Sequence, residues 1–219
     1  EDLLPAGSHI MLFAPWGSFK TFVALDLALT VASGQPAHPV HSGDVEQGAV
    51  VYIAGEGRPS LVKRVAAWEK QHTFGMKQTN FYLGDPVPNV QGGIEQTVDL
   101  IKEAHPGGVK LVVLDTVARA MQGVNENAME NATALTKMVE HIQRELGAAV
   151  LAVHHTGHEA GDRPRGSSAF GGDVDVLLRL QQIESDDPNY RVASIELQKT
   201  KDGEPWAGPR YVQFQKDDV

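Results

Sequence analysis

Ala14-Pro15-Trp16-Gly17-Ser18-Phe19-Lys20-Thr21 stands between the apolar run His9-Ile10-Met11-Leu12-Phe13 and a stretch carrying Phe22, Val23, Leu25, Leu27, Ala28, Leu29 and Val31. That succession reads as strand, Gly-bearing loop and helix. The helix is expected to end near Ser33-Gly34, because Gly tolerates the left-handed conformation that closes helices and Pro36 cannot prolong one. The octapeptide approximates G-x-x-x-x-G-K-[ST], a pattern that acquires meaning only when it follows a strand and opens a helix. In that setting backbone N–H groups face phosphates, a lysine reaches the terminal phosphates and a hydroxyl binds Mg²⁺. Lys20 and Thr21 supply the last two, and Ala14, Pro15, Trp16, Gly17, Ser18, Phe19 and Phe22 complete the candidate binding segment. Ala14 and Phe19 occupy the two glycine positions of the pattern, so only Gly17 remains inside the loop. A phenylalanine at 19 fits if it already has helical angles, which need no positive φ. The bland alternative is an ordinary strand-to-helix turn with an exposed lysine.

Outward from this segment, strands alternate with helices. Ala49 to Ala54 is apolar throughout, as in a parallel sheet covered on both faces, and ends in Gly55-Glu56-Gly57. A helix is expected from Pro59 to about Gln71, a short strand at Phe81-Tyr82-Leu83, a helix from Ile94 to Ala104 and a strong strand from Lys110 to Asp115. Arg119 to Asn127 has few apolar residues and reads as a mobile surface loop. Met129 to Leu146 has helical periodicity, with Gly147 as its stop, and Ala148 to His154 is the next buried strand. His155 to Ser168 is polar and rich in Gly, His and Arg, of a length common in functional loops. Val174 to Gln181, Arg191 to Gln198 and Tyr211 to Phe214 read as closing strands with an antiparallel tendency. The pattern predicts a three-layer α/β fold with a mainly parallel central sheet and antiparallel C-terminal strands, whose ligands bind beyond the carboxyl ends of the strands.

Composition narrows the rest. The 219 residues are 42% apolar, enough for one substantial core, and the whole chain reads as one domain. With no cysteine there is neither a disulfide framework nor a cysteine zinc site, and a cytoplasmic setting is the default expectation. No apolar run approaches the roughly 20 residues that span a bilayer, so no membrane role is expected. Residue 1 is Glu, and the chain reads as a domain excised from a longer protein. A net charge of -9 argues against a surface built wholly for nucleic acid, but not against a local basic loop or a pore built by several subunits.

Four further groups of residues carry candidate chemistry. Asp115 closes an apolar strand, where a carboxylate can hold a Mg²⁺ water beside the Thr21 hydroxyl; alone it could equally cap a following helix. Glu56, between two glycines, is the choice for the general base that polarises the attacking water, with a helix-capping role as the alternative. Its strand is expected next to the phosphate-loop strand or one strand away. His154-His155 ends a strand where an imidazole can meet a terminal phosphate. His154, His155, His158 and Glu159 suggest zinc less well, since H-E-x-x-H is absent. Arg163, Arg165, Gly166, Ser167 and Ser168 form a basic loop, and Lys199 and Lys201 flank Thr200, either as charges around a hairpin or as cations placed on a neighbouring subunit's nucleotide.

As a set, Phe13 to Asp26, Tyr52 to Gly57, Leu114-Asp115-Thr116 and His154 to Gly157 resemble the RepA-like, AAA_25-like branch of RecA-type P-loop ATPases, which includes ring-shaped replicative helicases of plasmids and phages. The resemblance implies ATP and Mg²⁺ as cofactors and a homo-oligomer, a hexamer in that branch, with ATP at subunit interfaces. Lys20 and Thr21 would meet the phosphates, Glu56 would be the catalytic base and Asp115 would stand at Mg²⁺. His155, or His154, would match the γ-phosphate sensor. The loops 119–127 and 158–168 would face a channel and contact single-stranded DNA. Position 175, where the helicase pattern places an arginine finger, is Asp, leaving Arg165, Lys199 and Lys201 as substitutes. A regulatory nucleotide switch that binds protein partners, and a catalytically dead interaction module, are the competing functions; neither loop carries an aromatic residue on which bases could stack.

Overall fold

The computed structural model describes residues 3–35, 45–55, 57–72, 80–84, 89–90, 92–125, 128–156, 163–164 and 172–215. In chain order the elements are β1 (His9–Ala14), α1 (Lys20–Ser33), β2 (Val50–Ala54), α2 (Arg58–His72), β3 (Phe81–Gly84), α3 (Ile94–Ala104) and β4 (Leu111–Asp115). They continue with α4 (Val117–Ala120), α5 (Met129–Leu146), β5 (Ala149–His155), β6 (Val176–Ile183), β7 (Tyr190–Thr200) and β8 (Arg210–Gln215). The eight strands form one sheet in the order β3-β2-β4-β5-β1-β6-β7-β8. Pairing is parallel from β3 to β6 and antiparallel in β6-β7 and β7-β8.

The apolar character of β1, β2, β4 and β5 follows from their position. Helices cover both faces of the sheet, so neither alternate set of side chains meets water. Ile10, Leu12 and Ala14 of β1 join the layer that contains Val23, Ala24 and Leu27 of α1 and Leu61 and Val65 of α2. Met11 and Phe13 join the opposite layer, with Val98 and Ile101 of α3 and Leu135, Met138 and Ile142 of α5. α1 and α5 end as their sequences require, on Gly34 (φ 69°) and Gly147 (φ 63°), each N–H closing the last turn.

Two expectations need correction. β2 does not lie beside β1 or one strand from it, because β4 and β5 both stand between them. The α1 crossover carries the chain past two strand positions, and no local pattern encodes that distance. The segment from Arg119 is not simply a surface loop. α4 begins at Val117, and Val117, Ala120 and Met121 are buried against the second layer. The C-terminal strands are antiparallel as expected, with β6 as the junction, parallel to β1 and antiparallel to β7.

At the start of β1, His9 N–H donates to the Asp175 carboxylate at 2.9 Å, and Asp175 N–H donates to the His9 carbonyl at 2.9 Å. Asp175, at the position where the helicase pattern places an arginine finger, thus ties β6 to β1 at the sheet edge opposite the phosphate loop. Burial lowers the His9 pKa to about 4 against the opposing pull of Asp175, so its imidazole is neutral there. Among the described residues no helix is long and apolar enough to cross a membrane.

Candidate nucleotide site

β1 delivers the chain to Ala14, and α1 begins at Lys20. Between them Gly17 has φ 75° and Phe19 has φ 64°, ψ 19°. Such left-handed residues curl a loop so that successive amides can converge on an anion. Phe19 therefore does not have the helical angles that its lack of a glycine suggested. It keeps the left-handed conformation that makes glycine the usual occupant, at a cost of about 1–2 kcal/mol for an L-residue. Its ring offsets this by lying 5.1 Å from Phe214 of β8 and 6.0 Å from Phe22, and the Arg64 guanidinium covers Phe22 at 4.4 Å. Phe19→Gly is accordingly expected to be more stable than Phe19→Ala by about 1 kcal/mol, reversing the usual order, with both below wild type. Thermal denaturation of the three proteins checks this; an alanine variant at least as stable as the glycine variant would remove the conformational argument.

Lys20 lies under the loop, 6% exposed, its ammonium donating to the Ala14 carbonyl at 3.0 Å and the Pro15 carbonyl at 2.6 Å. Burial lowers its pKa from 10.5 to about 8, and the negative charge of Asp115 works against that fall. Thr21 follows as the second, half-buried residue of α1. Asp115 ends β4, 8% exposed, and accepts a hydrogen bond from the Tyr52 hydroxyl at 2.7 Å. Tyr52 is fully buried, and burial first, then the Asp115 charge, pushes its pKa well above the ordinary value. The peptide bond after Asp115 is cis. The register Asp115↔Val153, Phe13↔His154, Ala14↔His155 sets Asp115, the histidine pair and the loop in one row along the carboxyl edge.

The two histidines separate. His154 is fully buried, whereas the His155 ring stacks on Trp16 of the loop, with centroids 4.8 Å apart and planes at 14°. At the end of β2, Gly55 N–H donates to the Asp115 carbonyl at 2.6 Å and its own carbonyl accepts from Arg119 Nε at 3.0 Å. A Cβ on Gly55 would lie 2.5 Å from Arg119 Cγ, so only glycine allows this approach. Glu56 itself lies outside the described residues, as do Arg165, Gly166, Ser167 and Ser168 of the basic loop and His158 and Glu159 of the zinc alternative. Among the described residues no three His, Cys, Asp or Glu side chains gather to hold a metal. The Thr21 hydroxyl and the Asp115 carboxylate are hard oxygen donors of the kind Mg²⁺ takes, so this donor set fits that ion.

Lys199 and Lys201 are not brought to this chain's phosphate loop. Lys199 donates to the Gly172 carbonyl at 2.7 Å, and Lys201 lies 3.4 Å from the Asp175 carboxylate, at the opposite sheet edge. Sequence reading missed Tyr52, which looks like any core residue of an apolar strand, and Arg119, which looks like a loop cation. It also missed Arg64 and Phe214, whose contacts form only across elements. These two line a groove of about 800 Å³ beside the start of α1, together with Phe22 and Trp68.

A family profile described as AAA domain, AAA_25, matches residues 1–161, which include the phosphate loop, Asp115 and His155. The chain belongs to the AAA_25 family. It is thus a member of a P-loop ATPase family, and the matched region of this AAA_25 protein stops before β6. Its fold is similar to that of a KaiC-like protein from the hyperthermophilic archaeon Pyrococcus horikoshii OT3, with a TM-score of 0.63 at 13% identity over 97% of this chain and 87% of the other. That likeness establishes the RecA-type fold of the AAA_25 protein. With 503 solved chains matching, the fold alone does not select a function. Among curated proteins no sequence match was found.

Proposed function

We propose that the protein is an Mg²⁺-dependent ATPase that acts as the motor of a ring-shaped, hexameric helicase on single-stranded DNA, as in replication of a plasmid or phage. The observation that supports it is the alignment of the loop after β1, Asp115 and His155 along one sheet edge, with Lys20 hydrogen-bonded to that loop and the segment before Glu56 tied to Asp115 through Gly55. Backbone amides of 17–21 and the Lys20 ammonium would bind the phosphates, and Thr21 and Asp115 would hold Mg²⁺, which neutralises charge on them. Glu56 would take the proton of the attacking water, and His155 would hydrogen-bond the terminal phosphate. Lys199, Lys201 or Arg165 would complete the site from a neighbouring subunit. For the two lysines, their distance from this chain's own loop is compatible with action in trans.

The DNA-binding part rests on the RepA-like resemblance. The net charge of -9 and the absence of aromatic residues in loops 119–127 and 158–168 favour a second reading, a nucleotide switch for protein partners. ATP hydrolysis with and without single-stranded DNA, for wild type and Glu56→Gln at concentrations that populate oligomers, separates the two. The motor predicts DNA-stimulated turnover that falls at least about 100-fold in the variant. Turnover indifferent to DNA favours the switch, and no turnover in an assembled ring refutes the ATPase.

A further inference from the structure

Trp16 is 77% exposed, yet its indole lies flat against the His155 imidazole. An indole so placed adds little to the core, in contrast to the half-buried Trp68, whose Nε1 donates to Asp26 at 2.7 Å. What the contact does is restrain one ring. The last side-chain torsion of an imidazole has broad, roughly two-fold wells, so a flat stacking partner narrows the orientations the ring adopts. Trp16 and His155 are also brought together by backbone. Ala14 pairs with His155, Thr156 N–H donates to the Ala14 carbonyl at 3.1 Å, and Gly17 turns the chain immediately after the indole. The stack therefore clamps the crest of the phosphate loop to the end of β5. Beyond that end, Thr156 forms an antiparallel bridge with Pro164, so the clamped point is also the root of the polar loop that follows.

We infer that Trp16 is a positioning residue, which sets the orientation of the His155 ring toward the terminal phosphate of a bound nucleoside triphosphate. The inference rests on the nucleotide site proposed above. Trp16 belongs to the binding segment by its backbone, which Trp16→Ala keeps, and its side chain acts on the reaction only through His155, so loss of the indole acts on turnover far more than on binding.

Wild type, Trp16→Ala, Trp16→Phe, His155→Ala and the Trp16→Ala/His155→Ala double variant are compared in steady-state MgATP hydrolysis and in MgADP titration calorimetry. Trp16→Ala is expected to lower kcat about tenfold with MgADP affinity within about twofold of wild type, because misorientation of a group at the reacting centre affects the transition state most. Trp16→Phe, which keeps an aromatic face, is expected to restore most of kcat. The double variant is expected to be no slower than His155→Ala, and His155→Ala is expected to raise tryptophan emission in wild type but not in a Trp16→Phe background. Unchanged kcat in Trp16→Ala, or effects of the two substitutions that multiply, overturns the inference while the ATPase stands. Wild type that neither hydrolyses ATP nor binds MgADP overturns both.

Discussion

Lys20→Met is expected to abolish MgATP binding while making the nucleotide-free protein more stable at pH 7. The ammonium is buried under the loop, and among the described residues its hydrogen-bond acceptors are the Ala14 and Pro15 carbonyls. A pKa lowered from 10.5 to about 8 means that keeping the charge at neutral pH costs about 3 kcal/mol. Methionine has similar length and no charge to bury, so a gain of about 1–3 kcal/mol is expected after allowing for the lost hydrogen bonds. The sign with pH follows from proton uptake. Between about 8 and 10.5 the unfolded chain holds a proton at Lys20 that the folded chain has released, so wild-type stability rises with pH in that window. The advantage of Lys20→Met is therefore full below pH 8 and shrinks progressively between about 8 and 10.5. Nucleotide binding has the opposite dependence. Affinity is flat below about pH 8 and weakens about tenfold per unit above it, since each binding event must then recharge the lysine. Denaturant melts and calorimetric titrations from pH 7 to 9.5 test both halves; a destabilised Lys20→Met protein at pH 7, or one with wild-type affinity, contradicts this account.

Asp115→Ala is expected to lower Mg²⁺-dependent hydrolysis by about 100-fold or more, because a carboxylate that positions the metal acts on the charge of the transition state. It should also cost about 1–3 kcal/mol of stability, for a reason unconnected with metal. The Tyr52 hydroxyl is fully buried and would lose the acceptor at 2.7 Å. The two effects separate in a cycle. Tyr52→Phe in the Asp115→Ala background removes the stranded hydroxyl and should recover most of the stability without any activity. Asp115→Asn keeps an acceptor for Tyr52 and should fold nearly as well as wild type while hydrolysing poorly. If Asp115→Ala melts like wild type, the buried hydrogen bond contributes nothing; if it hydrolyses like wild type, Asp115 does not serve the metal.

Much of the scaffold was legible because its signals are local. The helices from Ile94 to Ala104 and from Met129 to Leu146 coincide with their periodicity, and the apolar strands β2, β4 and β5 lie within a residue of expectation. Glycine and phenylalanine part company at position 19, where the departure from the glycine pattern was legible but its consequence was not. Whether Phe19 takes helical or left-handed angles depends on Phe214, almost two hundred residues away, and on the loop that must close over Lys20.

By itself the amino-acid sequence determines the alternation of strand and helix, the double-sided burial of the parallel strands, and the placing of Asp115 and His155 at strand ends and of Lys20 at a helix start, because periodicity, capping and chain polarity are properties of neighbouring residues. Only the tertiary structure decides that β4 and β5 separate β2 from β1, that Tyr52 serves Asp115, that Arg119 closes on Gly55, and that Lys199 and Lys201 stand at the far edge of the sheet. These are pairings between residues distant in the chain, chosen by which surfaces can be buried together and which polar groups can then be satisfied, and no stretch of sequence carries that comparison alone.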